Sequence, residues 1–135
     1  MVVTGGQRND GAMLAEVLAD ICVPRLGAGR ARTRPDAVLA DKAYSTGVIR
    51  TELRRRGIKA VIPPKSGHLT ARARRGSAGG RPYAFDAQAY RGRNVVERSF
   101  NRAKQWRALA TRYDKLAITY RAAVTILAII SWLRT

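Results

Sequence analysis

Hydrophobic positions recur with a helical period near the beginning of the chain. Apolar side chains stand there at i, i+1, i+4, i+5 and i+8, the spacing of an amphipathic helix: Met13, Leu14, Val17, Leu18 and Ile21. An Asn-Asp pair just before this stripe offers a cap, and Pro24 is expected to end the helix. The following stretch, at about 25–35, has no periodicity and is predicted to be an exposed basic loop.

Two short apolar runs flank a second helical stretch. Residues 36–41 are predicted to form a strand that runs into Asp41, residues 46–56 a helix that stops at Gly57, and 58–64 a strand closed by two prolines. Strand, helix and strand at this spacing make a parallel βαβ unit covered by helices. Asp41 is then expected where the chain leaves a strand, which is where ligand sites form in open α/β sheets. Capping of a following helix by this aspartate stays open as the alternative.

The second half of the chain reads as one more loop and two helices. Residues 65–82 are rich in Gly, Arg and Ser and are predicted to be a mobile basic loop. Helices are predicted at about 93–108 and 116–133. The apolar run 122–133 is shorter than the roughly 17 to 25 residues that a membrane span needs, so it predicts a buried helix and no membrane partner.

The charge balance predicts that this small α/β domain has a polyanionic partner. The 135 residues suit one domain, and 26 Lys and Arg against 9 Asp and Glu give a net charge of +17. Arginine predominates, and its forked donors suit phosphate oxygens, so nucleic acid is favoured over a membrane surface. Cys22 and His68 are single residues of their kinds, which excludes an intrachain disulfide and suits a reducing cytoplasm.

One segment combines cations with a single acid at helical spacing. Tyr90, Arg93, Glu97 and Lys104 are separated by three, four and seven residues, so a continuous helix over 93–108 would project them from one face. Cations around Glu97 favour its charged form. A plain alternative stays open, in which Glu97 pairs with a neighbour on a solvated face.

Four motifs in order resemble a known family. VLADKAY, IKAVIPPK, the Tyr-x2-Arg-x3-Glu-x6-Lys spacing and ATRYDK are similar to the C-terminal half of a DDE transposase of the insertion-sequence-five family, within the group that carries this Tyr-Arg-Glu-Lys signature. TGGQRND is similar to the segment after that family's first catalytic strands. The resemblance implies that residues 1–135 are the C-terminal portion of the catalytic domain. The implied fold is α/β and incompletely ribonuclease-H-like, a parallel βαβ unit with C-terminal helices that lacks the first strands.

The resemblance also implies a function in DNA transposition by metal-dependent strand cleavage and strand transfer. The family holds two Mg²⁺ (or Mn²⁺) ions with two Asp and one Glu, and Asp41 matches the second Asp while Glu97 matches the Glu. Arg93 and Lys104 would hold phosphates of the transposon ends, and Tyr90 would position the helix or touch DNA. Further cations assigned to DNA contact are Lys42, Lys65, Arg98 and Arg102.

No acid of this sequence matches the family's first Asp, so residues 1–135 are expected to be inactive alone. They would be the downstream frame of a frameshifted transposase or a decayed remnant. The alternatives are a noncatalytic DNA-binding module, which would inhibit the full enzyme, and a basic structural nucleic-acid protein. Expected partners are double-stranded DNA and either the upstream transposase half or a second copy, in the nucleoid of a bacterial cytoplasm.

Overall fold

The computed structural model describes residues 2–5, 8–111 and 115–133. Their contacts group into two units, one formed by Asn9–Arg93 and the other by the described residues before and after it. Each unit is described by itself. The middle segment of the motif ATRYDK, residues 112–114, and part of TGGQRND lie outside the described residues.

The first helix begins where the sequence predicts and ends earlier. Helix α1 spans Asp10–Ala19, and the Asn9 side chain caps it by accepting a hydrogen bond from the Gly11 N–H at 2.8 Å. The expectation that Pro24 ends this helix is wrong. The chain leaves the helix at Asp20 and doubles back through an antiparallel bridge between Val23 and Arg32, with exposed residues between them.

The βαβ prediction is confirmed. Strand β1 (Ala37–Leu39) lies parallel to strand β2 (Lys59–Val61), with Ala37 opposite Lys59 and Leu39 opposite Val61. A short 3-10 helix, Lys42–Tyr44, and helix α2, Gly47–Arg55, make the crossover between the two strands. Together these elements form a two-stranded sheet in the described part of the chain.

The carboxyl end of α2 is closed by a glycine and an arginine. Gly57 has φ of 65°, the left-handed conformation that ends many helices. Arg34 Nη1 donates a hydrogen bond to the Arg56 carbonyl oxygen at 3.1 Å, which satisfies an acceptor that the helix leaves open. A Cβ at position 57 would stand 2.9 Å from Arg34 Nη1, so the guanidinium lies directly beside the glycine.

A small apolar core holds Asn9–Arg93 together. It joins one face of α1 and α2 to the end of the sheet, and its buried members are Leu18, Ile49, Leu53, Ile58 and Ile62. Leu53 and Ile62 are 0% exposed. Val38 and Tyr44 pack against this cluster from β1 and the 3-10 helix, so the segment that carries Asp41 is anchored on both sides.

The basic segment 65–82, predicted to be a loop, is helical over half its length. Helix α3 spans Ser66–Arg74, and a 3-10 turn follows at Gly76–Gly79. Arg72 donates from Nε and Nη2 to the Gly80 carbonyl oxygen, at 3.0 and 2.7 Å, and so closes the turn. The loop prediction weighed Gly and Ser, whereas Leu, Ala and Arg within 66–74 are good helix formers.

The helix predicted at 93–108 is divided into two, and a further short helix precedes it. Helix α4 covers Ala87–Arg91, α5 covers Asn94–Gln105 and α6 covers Arg107–Ala110. Asp86 caps α4 as a separate helix, and Trp106, in an extended conformation, separates α5 from α6.

Helix α7, Ala117–Leu133, agrees with the predicted position, yet the expectation of a buried helix is wrong. Leu127 is buried, while five large apolar residues of the helix are exposed: Ile118, Ile126, Ile129, Trp132 and Leu133. None of the helices in the described ranges is both long and apolar enough to cross a membrane.

Candidate functional site

Asp41 lies two residues beyond the end of β1, as the sequence predicts, and is half-buried. Its Oδ1 accepts a hydrogen bond from the Ala43 N–H at 2.8 Å and caps the 3-10 helix. The capping interpretation is therefore confirmed for one carboxylate oxygen. A monodentate cap of this kind engages one oxygen of the group, so the contact is compatible with a second role for the other.

The pKa of the Tyr44 hydroxyl responds to the negative charges near Asp41. Burial raises the pKa of the Tyr44 hydroxyl, and the negative charges of Asp10 and Asp41 raise it further. Asp10 therefore acts on the same hydroxyl as Asp41. Asp10 was expected to be a cap, but it occupies the first turn of α1 and Asn9 makes the capping hydrogen bond.

The Tyr-Arg-Glu-Lys constellation is split between the two units. Tyr90 lies on α4 and Arg93 in the turn after it, where the Arg93 N–H donates to the Tyr90 carbonyl oxygen at 2.9 Å. Glu97 and Lys104 lie seven residues apart on α5 and are both exposed. The expectation that one continuous helix carries all four residues is wrong, because a turn at 92–93 separates α4 from α5 and only Glu97 and Lys104 lie on α5.

The remaining cations assigned to DNA are all exposed. Lys42 follows Asp41 directly as the first residue of the 3-10 helix, and Lys65 precedes α3. Arg98 and Arg102 stand one turn apart on α5. The structure thus groups Lys42, Lys65, Tyr90 and Arg93 with Asp41 in the unit Asn9–Arg93, and Arg98, Arg102 and Lys104 with Glu97 in the other.

An ion pair that sequence reasoning missed ties α4 to the sheet. Lys59 Nζ, on β2, lies 2.8 Å from Asp86 Oδ2, while Asp86 Oδ1 accepts the Ala89 N–H at 2.9 Å. The pKa of Asp86 is lowered first by the Ala89 backbone hydrogen bond and then by Lys59. This carboxylate therefore fixes the start of the short helix that carries Tyr90, whose ring contacts Phe85 edge-on at 5.4 Å.

A basic and aromatic cavity, also missed from the sequence, lies beside this ion pair. Its volume is about 670 Å³, and its walls come from α2, β2 and residues 81–86. Side chains that give it its chemistry are Arg50, Arg54, Lys59, Arg81, Tyr83 and Phe85. The signal in the sequence was the run RPYAFDA, an aromatic pair next to an arginine, which begins at the end of the predicted loop and was assigned no role.

Comparison with protein families identifies the family of this chain. A family model described as a transposase DDE domain matches residues 1–133. The chain belongs to the transposase DDE domain family. Searches of curated proteins and of solved structures found no significant match. Membership of this family indicates transposase function in DNA transposition and implies DNA binding.

Transposase DDE domains generally use a divalent metal. Carboxylate oxygens such as those of Asp41 and Glu97 are the hard donors that Mg²⁺ prefers. Within residues 2–5, 8–111 and 115–133, however, no group of three or more His, Cys, Asp or Glu side chains is assembled. The carboxylates of Asp41 and Glu97 are therefore of the right type for the metal, but the described residues do not assemble enough ligands to hold it.

Proposed function

We propose that this chain is the C-terminal portion of the catalytic domain of a DDE transposase of the insertion-sequence-five family, with a partial ribonuclease-H-like fold. The observation that carries the proposal is the family match over 1–133 together with Asp41 at the end of a strand in a parallel βαβ unit. The proposed reaction is cleavage of DNA strands at the transposon ends and their transfer to a target. The proposed location is the bacterial nucleoid.

In this proposal Asp41 and Glu97 are metal ligands and the cations position DNA. Mg²⁺ or Mn²⁺ would supply activation of water, then of the DNA 3′-hydroxyl, and stabilisation of the leaving oxygen. Asp41 suits the task because its cap fixes the carboxylate next to a strand anchored in the core. Glu97 presents an exposed carboxylate on α5, two turns from the Lys104 ammonium.

DNA contact in this proposal rests on charge and exposure. The net charge of +17 favours a polyanionic partner, and exposed Lys and Arg side chains can bind phosphates by charge-assisted hydrogen bonds. The proposed DNA contacts are Lys42, Lys65, Tyr90, Arg93, Arg98, Arg102 and Lys104. Affinity for DNA should fall steeply with salt, since each phosphate contact releases counterions.

A noncatalytic role is the second candidate, and the acidic residues favour it. Residues 1–135 supply two of the three carboxylates by resemblance, and no three-acid group forms among the residues that the structure describes. We therefore propose that residues 1–135 bind DNA without cutting it when no other chain supplies the third carboxylate. Such a molecule would occupy transposon ends and inhibit a complete transposase.

The test compares residues 1–135 alone with the same residues joined to a transposase segment that carries the first aspartate. Nicking of supercoiled plasmid would be followed in Mg²⁺ and in Mn²⁺. We expect DNA binding by both proteins, cleavage by the joined one alone, and loss of that cleavage in Asp41→Asn and in Glu97→Gln. The matched control is Asp36→Asn, which neutralises an exposed acid paired with Arg32.

Undiminished cleavage in either Asp41→Asn or Glu97→Gln would overturn the assignment of that residue. Nicking by residues 1–135 alone, abolished by Glu97→Gln, would rule out the noncatalytic candidate. Binding that is insensitive to salt would count against phosphate contact altogether.

A further inference from the structure

The wall of the cavity of about 670 Å³ holds more cationic side chains than acidic partners for them. Of the four cations in its wall, Lys59 is paired with Asp86. The side chains of Arg54 and Arg81 make no hydrogen bond or ion pair with any residue that the structure describes, and Arg50 has no acidic partner there. Three guanidinium groups therefore line one cavity whose carboxylate, that of Asp86, is paired with Lys59.

Arg50 is held in place by neutral groups. Its Nη2 donates to the Ile62 carbonyl oxygen at 2.7 Å and to the Ser45 Oγ at 3.1 Å, and its Cζ stands 4.7 Å from the centre of the Tyr83 ring. Ser45 is 1% exposed, so this anchor is part of the interior. An arginine fixed without a counter-ion is prepared for an anion or a π surface at little further entropic cost.

Two aromatic rings line the same cavity and are open to solvent in part. Tyr83 is 37% exposed and Phe85 36% exposed. Phe85 is oriented by its edge-on contact with Tyr90 at 5.4 Å, and Tyr83 by the guanidinium above it. Oriented rings with uncovered area favour a planar ligand, because stacking adds to burial of the ring surface.

We propose that this cavity binds a nucleotide unit, a phosphate with its adjacent base. Arg54 and Arg81 would bind the phosphate oxygens, and the base would lie against the rings of Tyr83 and Phe85 beside Arg50. Charge-assisted bonds to guanidinium groups suit the phosphate, and stacking on aromatic and guanidinium planes suits any base. The volume lies within the range of about 300–1,000 Å³ typical of small-ligand sites.

The nucleotide site is separate from the proposed catalytic carboxylates, since neither Asp41 nor Glu97 lines the cavity. The proposal therefore holds whether or not the chain cleaves DNA. A free nucleotide and an unpaired nucleotide of a single DNA strand present the same chemistry to this cavity, and the experiment distinguishes these two sources.

Two phenylalanines make the site easy to observe. The sequence contains Phe85, in the cavity, and Phe100, on α5 in the other unit. In protein labelled at its phenylalanine rings, titration with dAMP should shift the Phe85 resonances and leave those of Phe100 unchanged. Deoxyribose 5-phosphate, which has no base, should bind without the stacking shift. An equal shift with the sugar phosphate, or no Phe85 shift with any probe, would overturn the proposal.

Variants separate the site from the general positive charge of the chain. Arg54→Ala with Arg81→Ala should weaken dAMP binding about tenfold or more, the loss expected when charge-assisted contacts are removed. The control is Arg74→Ala with Arg91→Ala, the same charge change at two exposed positions outside the cavity. Equal weakening by both pairs would overturn the proposal, provided that circular dichroism shows both folded.

A third comparison identifies the source of the nucleotide. If a DNA strand supplies it, single-stranded oligodeoxyadenylate will bind more tightly than dAMP and produce the same Phe85 shift, while a duplex of the same length will not produce it. If a free nucleotide is the ligand, dAMP will produce the shift and the oligonucleotide will not. A duplex that shifts Phe85 as strongly as dAMP would contradict a site for an unpaired base.

Discussion

Asp41 has one role that the structure shows and a second that we propose, and substitution can separate them. The Asp41 Oδ1 accepts the Ala43 N–H at 2.8 Å and caps the 3-10 helix that follows β1. Asp41→Asn keeps an oxygen acceptor at this position and removes the charge. Asp41→Ala removes both. In the protein joined to a segment with the first aspartate, the Asn variant should therefore stay folded and lose metal-dependent cleavage, whereas the Ala variant should also lose stability.

The size of the stability change follows from the single hydrogen bond. Replacing a capping Asp by Ala lowers the free energy of unfolding by about 1 kcal/mol, with a range of roughly 0.5–2. With a denaturant slope of about 1–3 kcal/mol per M in urea, a loss of that size moves the midpoint down by roughly 0.3–1 M. Asn is as good a cap as Asp, so Asp41→Asn should stay within a few tenths of a kcal/mol of the wild type.

Urea unfolding followed by circular dichroism measures the midpoint, and amide hydrogen exchange at Ala43 tests the bond itself. Exchange at Ala43 should accelerate in Asp41→Ala and stay slow in Asp41→Asn. Equal losses of stability in the two variants would refute the capping argument, because only one of them lacks the acceptor. Unchanged exchange in Asp41→Ala would refute it as well.

Two further predictions concern stability. Leu53→Ala should lower the free energy of unfolding by about 3 kcal/mol and the Tm by at least about 10 °C, because Leu53 is 0% exposed. The control Leu26→Ala, at a position that is 112% exposed, should change neither quantity. Similar Tm values for the two variants would contradict this account of the core. Hydrogen bonds from Arg55 and then Arg56 lower the pKa of Glu52 from 4.5 to about 2. Their stabilisation is therefore present above about pH 4.5 and lost as the pH falls towards 2, so acid unfolding of Glu52→Gln should lack this contribution, and an identical pH dependence would count against it.

The parallel unit was predictable because its signals are local. Gly57 marked the end of α2, and the prolines at 63 and 64 marked the end of β2. Asp41 could be placed at the end of β1 from the same pattern. Its assignment as a ligand, like that of Glu97, came from the resemblance, since a carboxylate after a strand caps helices as readily as it binds metals.

The division of the region 87–110 into three helices was not predictable from periodicity. Gly92 adopts φ of −60°, an ordinary helical value, so its conformation alone does not mark the turn. The start of α4 is set by the cap of Asp86, whose position depends on Lys59, 27 residues earlier. The nucleotide site was hidden for the same reason. Two of its arginines come from α2, while the third and both rings come from residues 81–86, and only the fold brings them together.

The contact between Arg34 and Gly57 makes these two positions a coupled pair in any mutational library. A side chain at 57 meets the Arg34 guanidinium at 2.9 Å and also adopts φ of 65°, which favours Gly and, after it, Asn. Shortening residue 34 removes the first obstacle but also removes the donor to the Arg56 carbonyl oxygen. The effects of the two substitutions on the free energy of unfolding should therefore be non-additive. The effect of a substitution at 57 can be interpreted only when the residue at 34 is known.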